Sequence, residues 1–127
     1  MKAYTDLEQS KKLTEILPIE SADMSWCNNS IRGVNYTNEY SANLYTIKEM
    51  QECFDKALNG WDKYWKLFPC WSLAALIKVM PFGYFIHPTK NGVTIKYDYG
   101  KEVIAISDNL VDACYKMILK LHEQKLI

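Results

Sequence analysis

The stretch Tyr84–Ser107, YFIHPTKNGVTIKYDYGKEVIAIS, decides the fold. Before it, apolar residues recur at helical intervals; within it the period becomes two. In VTIKYD, Val93, Ile95 and Tyr97 fall on one side, and Thr94, Lys96 and Asp98 on the other. One dry face and one wet face is the habit of an antiparallel sheet covered on one side. YFIH and EVIAIS read as its neighbouring strands. Asn91-Gly92 marks the first turn and Tyr99-Gly100 the region of the second. These residues predict a three-stranded antiparallel meander.

Helices flank it in the sequence. Asn109 and Asp112 open a last helix as cap and first-turn acid. Val111, Cys114, Met117, Ile118 and Leu121 form its apolar stripe. Lys116, Lys120 and Lys125 lie outside that stripe, toward the end where a helix dipole favours cations. Before the meander, FPCWSLAALIKVMP at 68–81 is apolar nearly all round between two prolines, so it predicts a central, buried helix.

Further upstream, Thr5-Asp6-Leu7-Glu8 has capping-box spacing and predicts a helix over about residues 6–16, stopped by Pro18. ADMSWCN at 22–28 alternates weakly and reads as a short strand that could extend the sheet to four. Residues 28–45 are Asn-rich with interspersed Tyr and fit a long loop or a loose hairpin. Thr46-Ile47-Lys48-Glu49 is a second capping box, whose helix ends at Asn59-Gly60. Trp61, Tyr64, Trp65 and Phe68 then share one face of a short helical segment broken by Pro69. The expectation is an α+β fold: one domain over residues 1–127, with a three- or four-stranded antiparallel meander packed against several helices.

Composition sets outer bounds. At 127 residues the chain can bury a core without disulfides or metals. Hydrophobic residues make up 49% and charged residues 24%, as in ordinary globular proteins. Fifteen basic residues balance fifteen acidic ones, and Arg32 is the only arginine. Zero net charge and a lack of bidentate donors argue against a nucleic-acid reader. That option would need Lys63, Lys66, Lys78 and Lys90, or Lys116, Lys120 and Lys125, to form one patch. MKAYTDLEQSKKL has no apolar core of a signal peptide, and no run of about eighteen apolar residues exists, so neither secretion nor membrane insertion is expected. The expected compartment is the cytoplasm. There Cys27, Cys53, Cys70 and Cys114, which form no close-spaced pair, should be buried thiols rather than disulfides or zinc ligands. No cofactor motif or phosphate-cradling glycine loop is present.

Three stretches, LPIESADM at 17–24, PCWSLAALIKVMP at 69–81 and LVDACYKMILKLHEQKLI at 110–127, resemble an uncharacterised family of small proteins. That family is encoded by gut bacteria of the Bacteroides group, often in phage-like or mobile regions. The resemblance covers under half the chain. It implies a soluble bacterial or phage accessory protein and carries no catalytic residues with it.

Two functional readings follow from the residues themselves. The first is a non-enzymatic interaction module that binds a protein partner or a second copy of itself. Its contact surface would be the aromatic segment with Trp61, Tyr64 and Trp65, or the Asn-rich segment with Tyr36 and Tyr40, because Trp and Tyr dominate interface hot spots. The second is a small cysteine hydrolase or transferase. A thiol at a helix N-terminus is stabilised as thiolate, so Cys70 would be the nucleophile and His87 its base, oriented by Asn91 or Asp98. Against it, the residues before Cys70 lack a glycine-rich approach, and a buried Cys ordinarily behaves as a small hydrophobe. His122 reads as a solvated helix end.

Overall fold

The computed structural model describes residues 2–31, 34–50, 52, 67–81, 83–98 and 102–127, and only the backbone of those among 28–41. The chain is α+β: helices combine with two three-stranded antiparallel sheets. It divides into two compact units, residues 6–71 and residues 1–5 with 72–127.

In the first unit, helix α1 spans Leu7–Thr14. Its capping box sits one residue later than the sequence spacing suggested. Asp6 accepts from the Gln9 N–H at 2.8 Å, and the Gln9 side chain accepts from the Asp6 N–H at 3.1 Å. Thr5 is instead fully buried, so its hydroxyl is drawn inward and the next polar residue takes the cap. Pro18 leads into a single 3-10 turn, Ile19–Ser21. Strand β1, Met24–Ile31, pairs with β2, Val34–Asn43, in an antiparallel hairpin whose register slips between Asn28 and Ser30. Residues 28–31 and 34–43 therefore lie in paired strands and not in a loop. At 46–50 the second capping box is formed: Thr46 Oγ1 accepts from the Glu49 N–H, and Glu49 accepts from the Thr46 N–H.

Strand β3, Leu67–Cys70, completes the order β2-β1-β3. The helical face expected through Phe68 thus ends in a strand. Pro69 is tolerated because β3 is an edge and an edge strand has amide positions that need no partner. Helix α1 packs on β3, with the Lys11 ammonium 5.2 Å from the Phe68 ring centroid. The strand at Trp26 exists as expected, but it belongs to this sheet and does not extend the meander.

In the second unit, helix α2 spans Leu73–Val79 with Ser72 as its cap. Only Ala75 and Leu76 are buried along it, and Ala74 and Lys78 are exposed. The all-round apolar sequence therefore makes a one-sided helix. Strands β4 (Tyr84–Thr89), β5 (Gly92–Asp98) and β6 (Glu102–Ser107) form the meander, in the order β4-β5-β6. Helix α3, Leu110–Glu123, covers it. Asn109 caps α3 by accepting from the Asp112 N–H at 2.9 Å. The predicted stripe, Val111, Cys114, Met117, Ile118 and Leu121, is buried to within 1% of completely. Each such side chain contributes about 1.5–3 kcal/mol over its exposed state. Lys2 holds the N-terminal segment to this helix through a 2.6 Å ion pair with Asp112.

Gly92 fixes how closely β5 and the end of β6 approach. Its φ is +153°, and a Cβ there would lie 2.3 Å from the Ser107 carbonyl oxygen. No side chain fits at that separation.

Candidate functional site

The meander has a dry side and an outer side, and the register assigns each residue to one. Cross-strand partners share a face. Ile86, Ile95 and Ala105 thus line up on the helix side, where Ile95 and Ala105 are fully buried and Ile86, on the edge strand, is 36% exposed. On the outer side, Phe85, Lys96 and Ile104 form one row, and His87, Thr94 and Ile106 the next.

Those outer rows are not what a solvated face requires. Phe85 is 56% exposed, Ile106 63% and Ile104 38%, so two bulky hydrophobic positions on β6 and one on β4 face water. The Phe85 and His87 rings stack 6.5 Å apart at 29°. Among the described residues the one ion pair on this face joins Lys96 to Glu102 at 3.5 Å. EVIAIS alternates Val103 and Ala105 inward with Ile104 and Ile106 outward, so a strand apolar on both sides stands against a helix on one side only.

The two edges differ. Lys116 and Lys120 on α3 donate through their ammonium groups to the carbonyls of Ile106 and Ile104. The outward backbone of β6 is thus occupied by lysines, a common way to blunt a sheet edge. The sequence placed these lysines correctly off the buried stripe but gave no sign of this second duty. The signal was their spacing of four, on one flank of a helix that follows an edge strand.

Cys70 is the last residue of β3, two residues before the Ser72 cap, and its backbone pairs with Met24. It therefore does not stand at a helix N-terminus, and the electrostatic reason for a stabilised thiolate there falls away. Its exposure is 0%. His87 stands exposed on β4, paired with Thr94. Asp98 lies four residues from Thr94 along β5, about 13 Å at strand rise, so the register does not set it against the imidazole. The other described thiols are buried and strongly disfavour ionisation. Burial pushes Cys27 up to about 11 and Cys114 up to about 12.

Trp61, Tyr64 and Trp65 lie outside the described residues, as do Cys53, Lys63 and Lys66. Tyr36 and Tyr40 belong to β2, and their side chains also lie outside what is described. Of the remaining aromatic stripe, Trp71 is fully buried and its indole N–H donates to Ser21 Oγ at 2.9 Å. It is core. Among the described residues no group of three His, Cys, Asp or Glu could hold a metal ion, and no helix is long and apolar enough to cross a membrane. The chain matches no family model, no curated protein and no solved structure.

Proposed function

We propose that this chain is a non-enzymatic protein-interaction module whose contact surface includes the outer face of the meander. The observation that carries this reading is the set Phe85, Ile104 and Ile106, exposed on one sheet face on the two strands that flank β5, with Lys96 and Thr94 between them. Scattered exposed apolar residues are ordinary, but apolar residues in register on one face form a patch that water disfavours and a partner would cover. Trp61, Tyr64, Trp65, Tyr36 and Tyr40 are further contact candidates for the same reading. It fits the role of a bacterial or mobile-element accessory protein that the sequence resemblance implies. Thiol chemistry at Cys70 is the poorer reading, because a nucleophile with no exposed surface needs the fold to open before a substrate reaches it.

The test is site-specific photo-crosslinking in the producing cell. A photoreactive phenylalanine replaces Phe85, Ile106 or, as an exposed polar control, Lys78. The expected result is a discrete adduct from Phe85 and Ile106 and none from Lys78. Absence of any adduct at Phe85 and Ile106 overturns the reading.

A further inference from the structure

We propose that two copies of this chain pair through β4, antiparallel, about a two-fold axis at Phe85. The proposal deepens the interaction reading above and rests on it. It starts from the phase of the hydrogen bonds in the meander. The carbonyls of Ile104 and Ile106 are taken by Lys120 and Lys116, so they point away from β5. In an antiparallel ladder such outward residues alternate with inward ones. Val103, Ala105 and Ser107 therefore bond to Tyr97, Ile95 and Val93. The intervening Thr94, Lys96 and Asp98 turn their backbone toward β4. The Asp98 N–H confirms the phase, donating to the Gly83 carbonyl at 3.0 Å.

That phase leaves Tyr84, Ile86 and Pro88 facing outward along the β4 edge. Tyr84 and Ile86 each present an N–H and a C=O there, and Pro88 presents a C=O alone. No partner for these groups is found among the described residues. Unpaired donors and acceptors at strand spacing recognise another strand. The occupant that matches them is β4 itself. With Phe85 opposite Phe85 of the second copy, Tyr84 and Ile86 of each copy face Ile86 and Tyr84 of the other. All four N–H groups then meet carbonyls, and Pro88 stays outside the paired region. Sliding by two residues one way sets Pro88 against Tyr84 and loses bonds for want of an N–H. Sliding the other way takes Ile86 past the end of the strand, which begins at Tyr84.

The side chains suit the same register. Tyr84–Thr89 carries no lysine, arginine or carboxylate, so like charges do not meet at the axis. The exposed Phe85 rings come together in a directly opposed pair, the closest kind across non-hydrogen-bonded positions. His87 of one copy comes beside Gly83 of the other, in the row that continues to Asp98 and Glu102. An imidazole N–H thus approaches the acidic end of the face, not another cation. The β6 edge, occupied by lysines, does not compete.

A contact of this size belongs to the weak, transient class. Sedimentation of the full chain from about 10 µM to about 1 mM should therefore show its mass rising from 14.8 kDa toward twice that value. Ile86→Pro removes an outward N–H while leaving the bonds to β5 intact, and should weaken pairing at least about tenfold. Phe85→Cys in a Cys53→Ser background should form a disulfide-linked dimer on mild oxidation, since opposed Cα atoms at such positions lie about 4.5 Å apart, within disulfide reach. His87→Cys, whose symmetry mate is four residues out of register, should not. The proposal is overturned if the chain stays at 14.8 kDa throughout, or if the two cysteine variants cross-link equally fast. It is also overturned if Ile86→Pro, shown folded by hydrogen-exchange protection of residues 92–98 and 102–107, pairs like the parent. A monomeric chain that still photo-crosslinks a different protein through Phe85 ends self-pairing and keeps the interaction reading. A monomeric chain with no adduct ends both.

Discussion

The two sheets of this chain have the same number of strands and the same antiparallel pairing, yet different features hold them. The meander is set by a tight turn, an alternation of buried and exposed residues along β5 and β6, and a helix on one face. The β2-β1-β3 sheet has at its centre a strand in which Met24, Ser25 and Cys27 are all buried, so both faces of β1 are covered over residues 24–27. Its core includes small and polar groups. Ser25 Oγ is buried with no hydrogen-bond partner among the described residues, and the buried Trp71 indole N–H donates to Ser21 Oγ. A sheet wetted on one side announces itself in sequence; a sheet covered on both sides does not.

Trp71→Ala tests the first sheet most severely. It removes the largest fully buried side chain among the described residues and, with it, the indole bond to Ser21 Oγ. A loss of about 3–5 kcal/mol is expected in denaturant unfolding. Gly92→Ala is the matching test in the meander. The added methyl meets the Ser107 carbonyl, and backbone must move, for a loss of about 3 kcal/mol. Hydrogen exchange should locate the first loss in residues 24–27 and 67–70, and the second in 92–98 and 102–107. Exchange that rises equally everywhere in both variants would break the comparison.

This difference also explains what could be read beforehand. The meander strands, α3 and its stripe follow from periods that water imposes on one face, and they were legible almost residue by residue. Pro69 within 67–70 pointed to a break, yet the segment is an edge strand, where a missing N–H costs nothing. Cys70 looked like a helix entry because the apolar run begins beside it. The cap is Ser72, the first side chain able to accept from the helix amides. The outer patch was half visible. Ile104 and Ile106 stood in plain alternation with Val103 and Ala105, but a strand apolar on both sides reads equally as one buried on both.

Two of the buried thiols sharpen the comparison, one from each unit: Cys27 on β1 and Cys114 on the helix over the meander. Burial raises Cys27 to about 11 and Cys114 to about 12 from 9.0. Because the folded values lie above the unfolded one, the unfolded state loses its protons first as pH rises. The stabilisation is whole below about pH 9 and is lost upward from there. Each thiol should cost about 1.4 kcal/mol per pH unit across that window. Unfolding measured at pH 8 and pH 10 should show the fall, and Cys27→Ala or Cys114→Ala should each shrink it. A fall that neither variant changes would assign it elsewhere.

Ser25→Ala should act in the opposite direction from the large losses. It deletes a buried hydroxyl that has no hydrogen-bond partner among the described residues, so a gain of about 1 kcal/mol is expected. A loss of that size would mean the hydroxyl has a partner when the protein is in water.

The smallest change in stability bears on the meander's two edges. Lys116→Ser with Lys120→Ser removes the donors that occupy the Ile106 and Ile104 carbonyls. Both lysines are exposed, so the cost in unfolding should stay below about 1 kcal/mol. The effect lies instead in association. With β4 pairing as proposed and β6 freed on the other side, each meander offers two strand edges, and pairing no longer closes at two copies. Sedimentation of the double variant at high concentration should show species beyond the dimer, whereas adding Ile86→Pro should cut them back to pairs. If the double variant sediments as the parent does, the lysines only decorate β6, and the contrast between a guarded edge and an open one is lost.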